Sequence, residues 1–325
     1  MINFRFHLAS LIAVFLALAI GIVMGSTVVK EATVKGLRAE IHRVDRQSEA
    51  RARDNRDLRA QVGDLENYAH QSAAETVHDS LSGTKVVVVA VRGVDTGTAK
   101  ATAELIQQAG ASMPGILWLE PSWDLKNAND AKKLATVIGE PGASTKQLRD
   151  DAVTLLASRL AGPATLRPPV EPATVGSVAR PDMLTGLASD GFVTFEGIGT
   201  QGGRSFSLGA YPGPSARVLV VGSTDASGDL DSLLAPLAQA LVAVKIPTAV
   251  ANAYHGQRNK PTRDQGVAGV RDDTTLSKQV STVDDLELAQ GQVAAVLALS
   301  DLESRIGHYG YGDGASAIVP PVSQP

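Results

Sequence analysis

The sequence contains no cysteine. This absence excludes disulfide bonds, thiolate metal ligands and a cysteine nucleophile. It leaves the cellular compartment open, because an exported protein can fold without disulfides. Aromatic residues are also scarce, at 4% of the chain. A shortage of aromatic side chains argues against base-stacking platforms and sugar-stacking clefts.

An excess of positive charge is also missing. The formal net charge is −4 at pH 7, so no global field attracts a polyanion. Arginines are frequent in residues 38–59, but aspartates and glutamates are interleaved with them. This mixture is typical of a solvated helix face. We therefore predict no nucleic-acid partner.

The residues that bind metals or activate nucleophiles form no recognisable pattern. The four methionines are scattered, and His70 and His78 are poorly spaced for one helix face. No G-x-S-x-G segment is present, and the glycines around His308 and Asp313 favour a structured turn. We predict no catalytic residues, no enzyme activity and no cofactor, and the residues leave metal ligands unknown.

One long uncharged run, residues 8–29, dominates the N-terminal region. As a helix it extends about 33 Å, enough to cross the hydrocarbon core of a bilayer. We predict an uncleaved transmembrane anchor in residues 1–29, with a cleaved signal or a buried core helix as alternatives. Ala17, Gly21 and Gly25 share one face and could pack against another membrane helix, although glycine is common in such helices.

The orientation of this anchor is ambiguous in the sequence. More basic residues follow the run than precede it, which places the C-terminal part in the cytoplasm by the positive-inside rule. An apolar helix is itself typical of the plasma membrane, since outer-membrane proteins usually span as β-barrels.

Residues 30–82 are predicted to form a coiled coil. Steps of three and four residues define a seam that is apolar at both ends and polar in the middle. Asn55 could fix its register. A helix with this pattern should pair with a second copy or with a partner helix. The seam consists of Val34, Leu37, Ile41, Val44, Ser48, Arg51, Asn55, Leu58, Val62, Leu65 and Ala69.

Residues 83–310 are predicted to form a doubly wound, mostly parallel α/β domain. The run "KVVVVAV" indicates a strand buried on both faces. The order strand, loop, helix occurs twice: once in "KVVVVAVRG" and the residues that follow it, and once in "ARVLVVGSTDASGDLDSLLAPLAQALVA". A Pro-rich connection is expected at about 162–182, and a loose tail at 311–325.

Three local features of this domain are predicted in more detail. The loops at 93–98 and 222–228 precede helices, and Asp95 and Asp225 in them favour helix capping over phosphate binding. The segment from Thr282 to Asp285 looks like a capping box that starts the last helix, and Gly307 is expected to end that helix. Its apolar stripe would comprise Leu286, Ala289, Val293, Val296 and Leu297.

The complete layout resembles the MctB family of actinobacteria. The resemblance rests on "HLASLIAVFLALAIGIVMGS", the coil, "KVVVVAVRG" and the late "STVDDLELAQGQVAAVLAL…GHYGYG". It implies an envelope location and a role in copper transport, described for the family as efflux through an outer-membrane channel. Related corynebacterial members are associated with cell division and with control of peptidoglycan hydrolases through a partner. No family metal ligands can be transferred to residues of this chain.

Two functions therefore remain open. One is copper homeostasis or efflux, implied by the resemblance. The other is an envelope scaffold that regulates cell division and peptidoglycan hydrolysis through its coil. An enzyme with a degenerate nucleotide pocket is a more distant third. We expect a single-pass protein whose C-terminal domain lies outside the cytoplasm.

Overall fold

The computed structural model of the chain describes residues 4–162, 182–198, 216–224, 230–254 and 265–321, apart from the side chains of 26–33 and 265. The chain divides into two units, Met1–Leu65 and Glu66–Pro325. The helices are α1 (Phe4–Thr76), α2 (Thr96–Gln108), α3 (Ala128–Ile138), α4 (Thr145–Ala161), α5 (Met183–Ser189), α6 (Leu234–Ala243), α7 (Gln265–Asp272) and α8 (Ala289–Asp301). The strands are β1 (Lys85–Val91), β2 (Gly115–Leu119), β3 (Val193–Gly197), β4 (Ala216–Ser223), β5 (Thr248–Ala253), β6 (Val280–Val283) and β7 (His308–Tyr309).

The described residues of the first unit are all helical and belong to α1. The absence of proline from this segment allows an uninterrupted ladder of backbone hydrogen bonds. A helix is therefore confirmed through the predicted coil as far as Thr76. Its pairing with another helix stays a prediction.

The second unit contains a seven-stranded sheet with the order β3-β2-β1-β4-β5-β6-β7. Only the edge strand β3 is antiparallel to its neighbour, and the other pairs are parallel. On β1, Val88 lies opposite Ile116 of β2 on one side and Leu219 of β4 on the other. The chain winds outward from this centre in both directions, which confirms the predicted doubly wound α/β class.

Strand β1 has no alternation of apolar and polar residues because helices cover both faces of the sheet. All its residues from Val86 to Val91 are buried. The end of α1 and the turn that follows it also belong to this core, since Ala73 on the helix and Val77 and Leu81 in the turn are buried. The Ser300 hydroxyl at the end of α8 donates to the Ser80 carbonyl at 2.8 Å.

The predicted start and end of the last helix are wrong. Thr282 and Val283 lie in strand β6, and helix α8 begins only at Ala289. The helix ends at Asp301, before Gly307. The β-branched pair Thr282–Val283 extends a buried parallel strand, and this pairing overrides the local capping pattern.

The remaining predictions concern the strands and helices of the domain, the apolar stripe of its last helix and the Pro-rich connection. The predicted strands at β1 and β4 are confirmed, as are the helices that follow them. Of the apolar stripe, Leu286 is buried but precedes α8, whereas Ala289, Val293, Val296 and Leu297 are buried on it. Most of the Pro-rich connection, residues 163–181, lies outside the described residues.

Candidate functional site

The apolar N-terminal part of α1 meets the requirements of a membrane span. Phe4–Gly25 has 22 residues, a mean hydropathy of 2.6 and no burial within the chain. A signal sequence near the N-terminus has the same properties, so this alternative stays open. Ala17, Gly21 and Gly25 lie on the exposed helix, with no other atoms within 4 Å of a Cβ placed on either glycine. Their face is therefore open.

The predicted seam is exposed to solvent along α1. Its large apolar members are between 45% (Val34) and 68% (Leu65) exposed, and Asn55 is exposed as well. Away from the seam, Glu49 accepts a 3.3 Å hydrogen bond from Arg53, as expected for a solvated helix face. The seam contains Val34, Leu37, Ile41, Val44, Leu58, Val62 and Leu65 as exposed apolar residues.

The carboxyl ends of the parallel strands are where an α/β sheet usually binds a ligand. At the end of β1, the Asp95 carboxylate accepts a 2.8 Å hydrogen bond from the Thr98 N–H. The predicted capping role of Asp95 is therefore confirmed. Asp225, its expected counterpart after β4, lies outside the described residues.

Two more carboxylates at this edge accept hydrogen bonds from backbone N–H groups. Asp231 accepts from the Gly266 N–H at 3.0 Å, and Glu287 accepts from the Tyr254 N–H at 2.8 Å. Backbone N–H groups in such positions are the donors that bind phosphate in nucleotide-binding proteins. In this protein, the carboxylates of Asp231 and Glu287 accept the hydrogen bonds of these N–H groups.

The most extensive arrangement of this kind surrounds Asp284, directly after β6. Its carboxylate accepts hydrogen bonds from the Tyr311 N–H at 2.6 Å, the Gly312 N–H at 3.1 Å and Arg271 Nη1 at 2.8 Å. The side chains of Arg271 and Asp284 are 6% and 13% exposed. We name Asp284, Arg271 and the turn of residues 310–312 the Asp284 clasp.

Arg271 joins the clasp to the neighbouring backbone. Its Nε donates to the Thr282 hydroxyl at 2.8 Å, Nη2 to the Tyr309 carbonyl at 2.9 Å, and Nη1 also to the Asp313 carbonyl at 2.9 Å. One guanidinium group thus ties α7, β6, β7 and the following turn together. The fixed fork of donors on arginine suits this role better than a lysine ammonium would.

The glycines of "GHYGYG" are explained by the clasp. Gly310 has φ of +121°, and a Cβ at this position would overlap the Asp284 carboxylate. A Cβ at Gly312 would lie 2.8 Å from Asp284 Oδ2. At Gly307, a Cβ would overlap the Tyr309 hydroxyl. The structured turn predicted from the glycines is therefore present, with Asp284 as its centre.

The clasp shifts the ionisation of two side chains. Burial opposes ionisation of Asp284, but the hydrogen bonds from the Tyr311 N–H and Arg271, together with the Arg271 charge, lower the pKa of its carboxyl. Burial lowers the pKa of His308, and the nearby Arg271 charge lowers it further. The neutral His308 ring lies with Nδ1 2.9 Å from the Thr282 hydroxyl. The lowered pKa values favour the ionised carboxylate of Asp284 and the neutral ring of His308.

A metal centre is not visible in the described part of the chain. No group of three or more His, Asp or Glu side chains in those residues is arranged to hold an ion. His70 lies on α1, and His78 follows it in the turn before β1. The carboxylates that do converge on the sheet edge are engaged by Arg271 and by backbone N–H groups.

Sequence reasoning missed Arg271 and the role of Asp284. The two are separated by 13 positions and belong to different elements, α7 and the end of β6. The one available signal was the recurrence of glycine in "GHYGYG". Three glycines within six residues indicate a backbone that approaches another group closely.

The fold and these features define a class: an α/β protein whose N-terminal helix is long and apolar enough to cross a membrane, and whose own carboxylates bind backbone N–H groups along the described part of the sheet edge. The family model described as "MctB: Copper transport outer membrane protein" matches residues 1–320. The chain belongs to this MctB family.

Curated relatives cover nearly the full length. The protein named Copper transporter MctB from Mycobacterium tuberculosis (strain ATCC 25618 / H37Rv) is 32% identical over 332 residues, which is 98% of this chain and 99% of the relative. The protein of the same name from Mycobacterium leprae (strain TN) is 31% identical over 338 residues, 99% of this chain and 100% of the relative.

Proposed function

We propose that this chain is a single-pass, membrane-anchored envelope protein that acts in copper homeostasis or efflux and catalyses no reaction. The observation that carries the proposal is the match over 98% of the chain to relatives named copper transporter. Copper is the cargo of the process in this proposal.

The carboxylates along the described part of the sheet edge support the non-enzymatic part of the proposal. Asp95, Asp231, Asp284 and Glu287 each accept a hydrogen bond from backbone N–H groups at this edge. An incoming phosphate would have to displace these carboxylates and would be repelled by their charge. The domain therefore suits assembly better than nucleotide chemistry.

The location follows from the anchor. A 22-residue apolar helix satisfies its own backbone hydrogen bonds and spans a bilayer alone. This property favours the plasma membrane, although the family description refers to the outer membrane. We place the α/β domain on the outer side because the family's description is of an envelope protein, against the basic residues that follow the anchor.

Topology is tested by labelling a single engineered cysteine. The chain has none of its own, so the label is unique. Ser80 is a poor position because its Oγ is buried, whereas Glu75 is exposed. In intact cells that carry Glu75→Cys, a thiol reagent that does not cross the plasma membrane should label the protein. Protection until lysis would place the domain in the cytoplasm and would contradict the proposal.

The copper role is tested by survival in copper. Cells lacking the gene should grow less well in elevated copper, and the full-length chain should restore growth. A chain whose residues 1–29 are exchanged for a cleaved signal should not restore growth, since it lacks the anchor. Unchanged copper tolerance in the deletion strain would refute the role. Titration of the purified full chain with Cu(I) and Cu(II) then separates direct binding from an indirect contribution.

A second candidate is a coiled-coil scaffold that regulates cell division and peptidoglycan hydrolysis through a partner. The exposed seam favours it, because an isolated helix with exposed leucines and valines gains stability by burying them against another helix. Leu58→Asp with Leu65→Asp should abolish self-association or partner capture in crosslinking. Ala60→Asp with Asn67→Asp adds the same charge away from the seam and should leave association intact. Equal behaviour of the two pairs would reject the seam.

A further inference from the structure

A groove lies between helix α4 and the turn that leads into α6. Its volume is about 480 Å³. Sites for small molecules usually enclose about 300–1,000 Å³. The groove shares no residue with the Asp284 clasp or with the seam on α1.

The floor of the groove is apolar. Val153 of α4 and Leu233, just before α6, are 4% and 2% exposed, and Pro236 forms an exposed wall. These side chains belong to two elements that pack together, so the floor is built by the core. An apolar group such as a ring system or a short alkyl chain would bury its apolar surface against this floor.

The rim of the groove carries positive charge at one end. Lys146 and Arg149 are one helical turn apart on α4 and face the same side. Arg149 is half-buried, and its Nη2 donates to the Asp124 carbonyl at 2.9 Å, which fixes the guanidinium in place. The Lys146 ammonium forms no hydrogen bond or ion pair with any residue in the described ranges. Asp150 is the one acidic residue of the lining, so the two cations prevail.

We propose that this groove binds an anionic amphiphile: a phosphate or carboxylate group held by Lys146 and Arg149, with an apolar body on Val153, Leu233 and Pro236. A two-part ligand matches the two-part lining, since charge-assisted hydrogen bonds fix one end and apolar contact fixes the other. The inference is independent of the role in copper handling.

The test uses the full chain in nanodiscs of zwitterionic lipid. Because the chain has no cysteine, Thr145→Cys can carry a single trifluoromethyl label at the edge of the groove, at an exposed lining residue that the proposed contacts do not use. Addition of 1-naphthyl phosphate should give a saturable ¹⁹F shift. Lys146→Glu should weaken binding about tenfold or more, since it replaces a cationic donor by a repelling charge. Val153→Trp should block binding by filling the floor.

Lys132→Glu is the matched control. It makes the same charge change at an exposed lysine of α3, outside the lining, and should bind as the labelled parent does. Equal binding of 1-naphthol would overturn the anionic part of the proposal, and equal competition by inorganic phosphate would overturn the apolar part. The absence of a saturable shift, or an unchanged affinity in the Lys146 variant, would overturn the site itself.

Discussion

Removal of the Asp284 carboxylate provides the most direct test of the clasp. In Asp284→Ala, the Gly312 N–H loses its acceptor, and the Tyr311 N–H keeps only its longer bond to Asp285 Oδ2 at 3.3 Å. Arg271 loses its counter-ion. Arg271 is 6% exposed, so its charge cannot gain full hydration while the fold persists. The substitution thus leaves a buried cation without its partner.

The expected loss of stability is large. Breaking a buried ion pair by removing one member costs about 3–5 kcal/mol in general. Arg271 keeps its bonds to the Thr282 hydroxyl and to the carbonyls of Tyr309 and Asp313, which favours the lower part of this range. Asp284→Asn retains one acceptor oxygen and should lose about half as much, because it removes the charge but only part of the hydrogen bonding.

Urea unfolding of the full chain in detergent, followed by tryptophan fluorescence, measures this loss. The chain has two tryptophans, Trp118 and Trp123, and both are buried in the second unit. The signal therefore reports unfolding of the α/β domain. The midpoint should shift to lower urea with an unchanged slope.

Asp313→Asn is the control for this experiment. Asp313 lies in the same turn with an exposed side chain, and it contacts Arg271 through its backbone carbonyl, which the substitution retains. It should unfold within about 0.5 kcal/mol of the parent. If Asp284→Ala loses less than about 1 kcal/mol, the carboxylate does not organise the turn and the reasoning fails.

Three further predictions concern the same domain. Gly310→Ala should destabilise the domain by at least about 2 kcal/mol in urea unfolding, because its Cβ meets the Asp284 carboxylate. Gly142 also has a positive φ but has open space around it, so Gly142→Ala should lose only about 1 kcal/mol from backbone strain. Equal losses would exclude the clash with the carboxylate. Folding lowers the pKa of His308, so the free energy of unfolding should fall as the pH drops below 6.5, the ordinary pKa of histidine. In the same assay, His308→Gln should flatten this pH dependence between about pH 7.5 and 5. An equally steep profile in the variant would refute the role of His308. Arg217 donates to the last carbonyls of α8 and also pairs with Glu303. Arg217→Met removes both interactions and Glu303→Gln only the ion pair, so Arg217→Met should lower the thermal midpoint more. The reverse order would contradict a capping role of Arg217.

Much of the fold could be predicted from local patterns. The run of valines in β1 indicates a buried parallel strand because no alternation separates two faces. Asp95 followed by Thr98 indicates a cap because the side chain reaches an N–H three residues ahead. Both inferences depend on neighbours in sequence, and both are confirmed.

The segment at Thr282 shows where local patterns fail. A threonine followed by acidic residues satisfies the rule for a helix start, but β5 and β7 supply parallel neighbours that extend the strand through Val283. Strand pairing depends on residues far away in the chain, so the local pattern could not reveal which structure prevails. The antiparallel edge strand β3 was missed for the same reason.

The sequence by itself determined the apolar span, the long helix with its interrupted seam and the α/β class, because each follows from the period of apolar residues along the chain. Only the tertiary structure decided what the late glycines are for. It brings Arg271 from α7, Asp284 from the end of β6 and the turn after β7 into one cluster, and the closeness of this approach leaves no space for a Cβ at Gly310. Contacts between distant segments leave no repeating pattern in the sequence. They form only when the sheet aligns the ends of its strands.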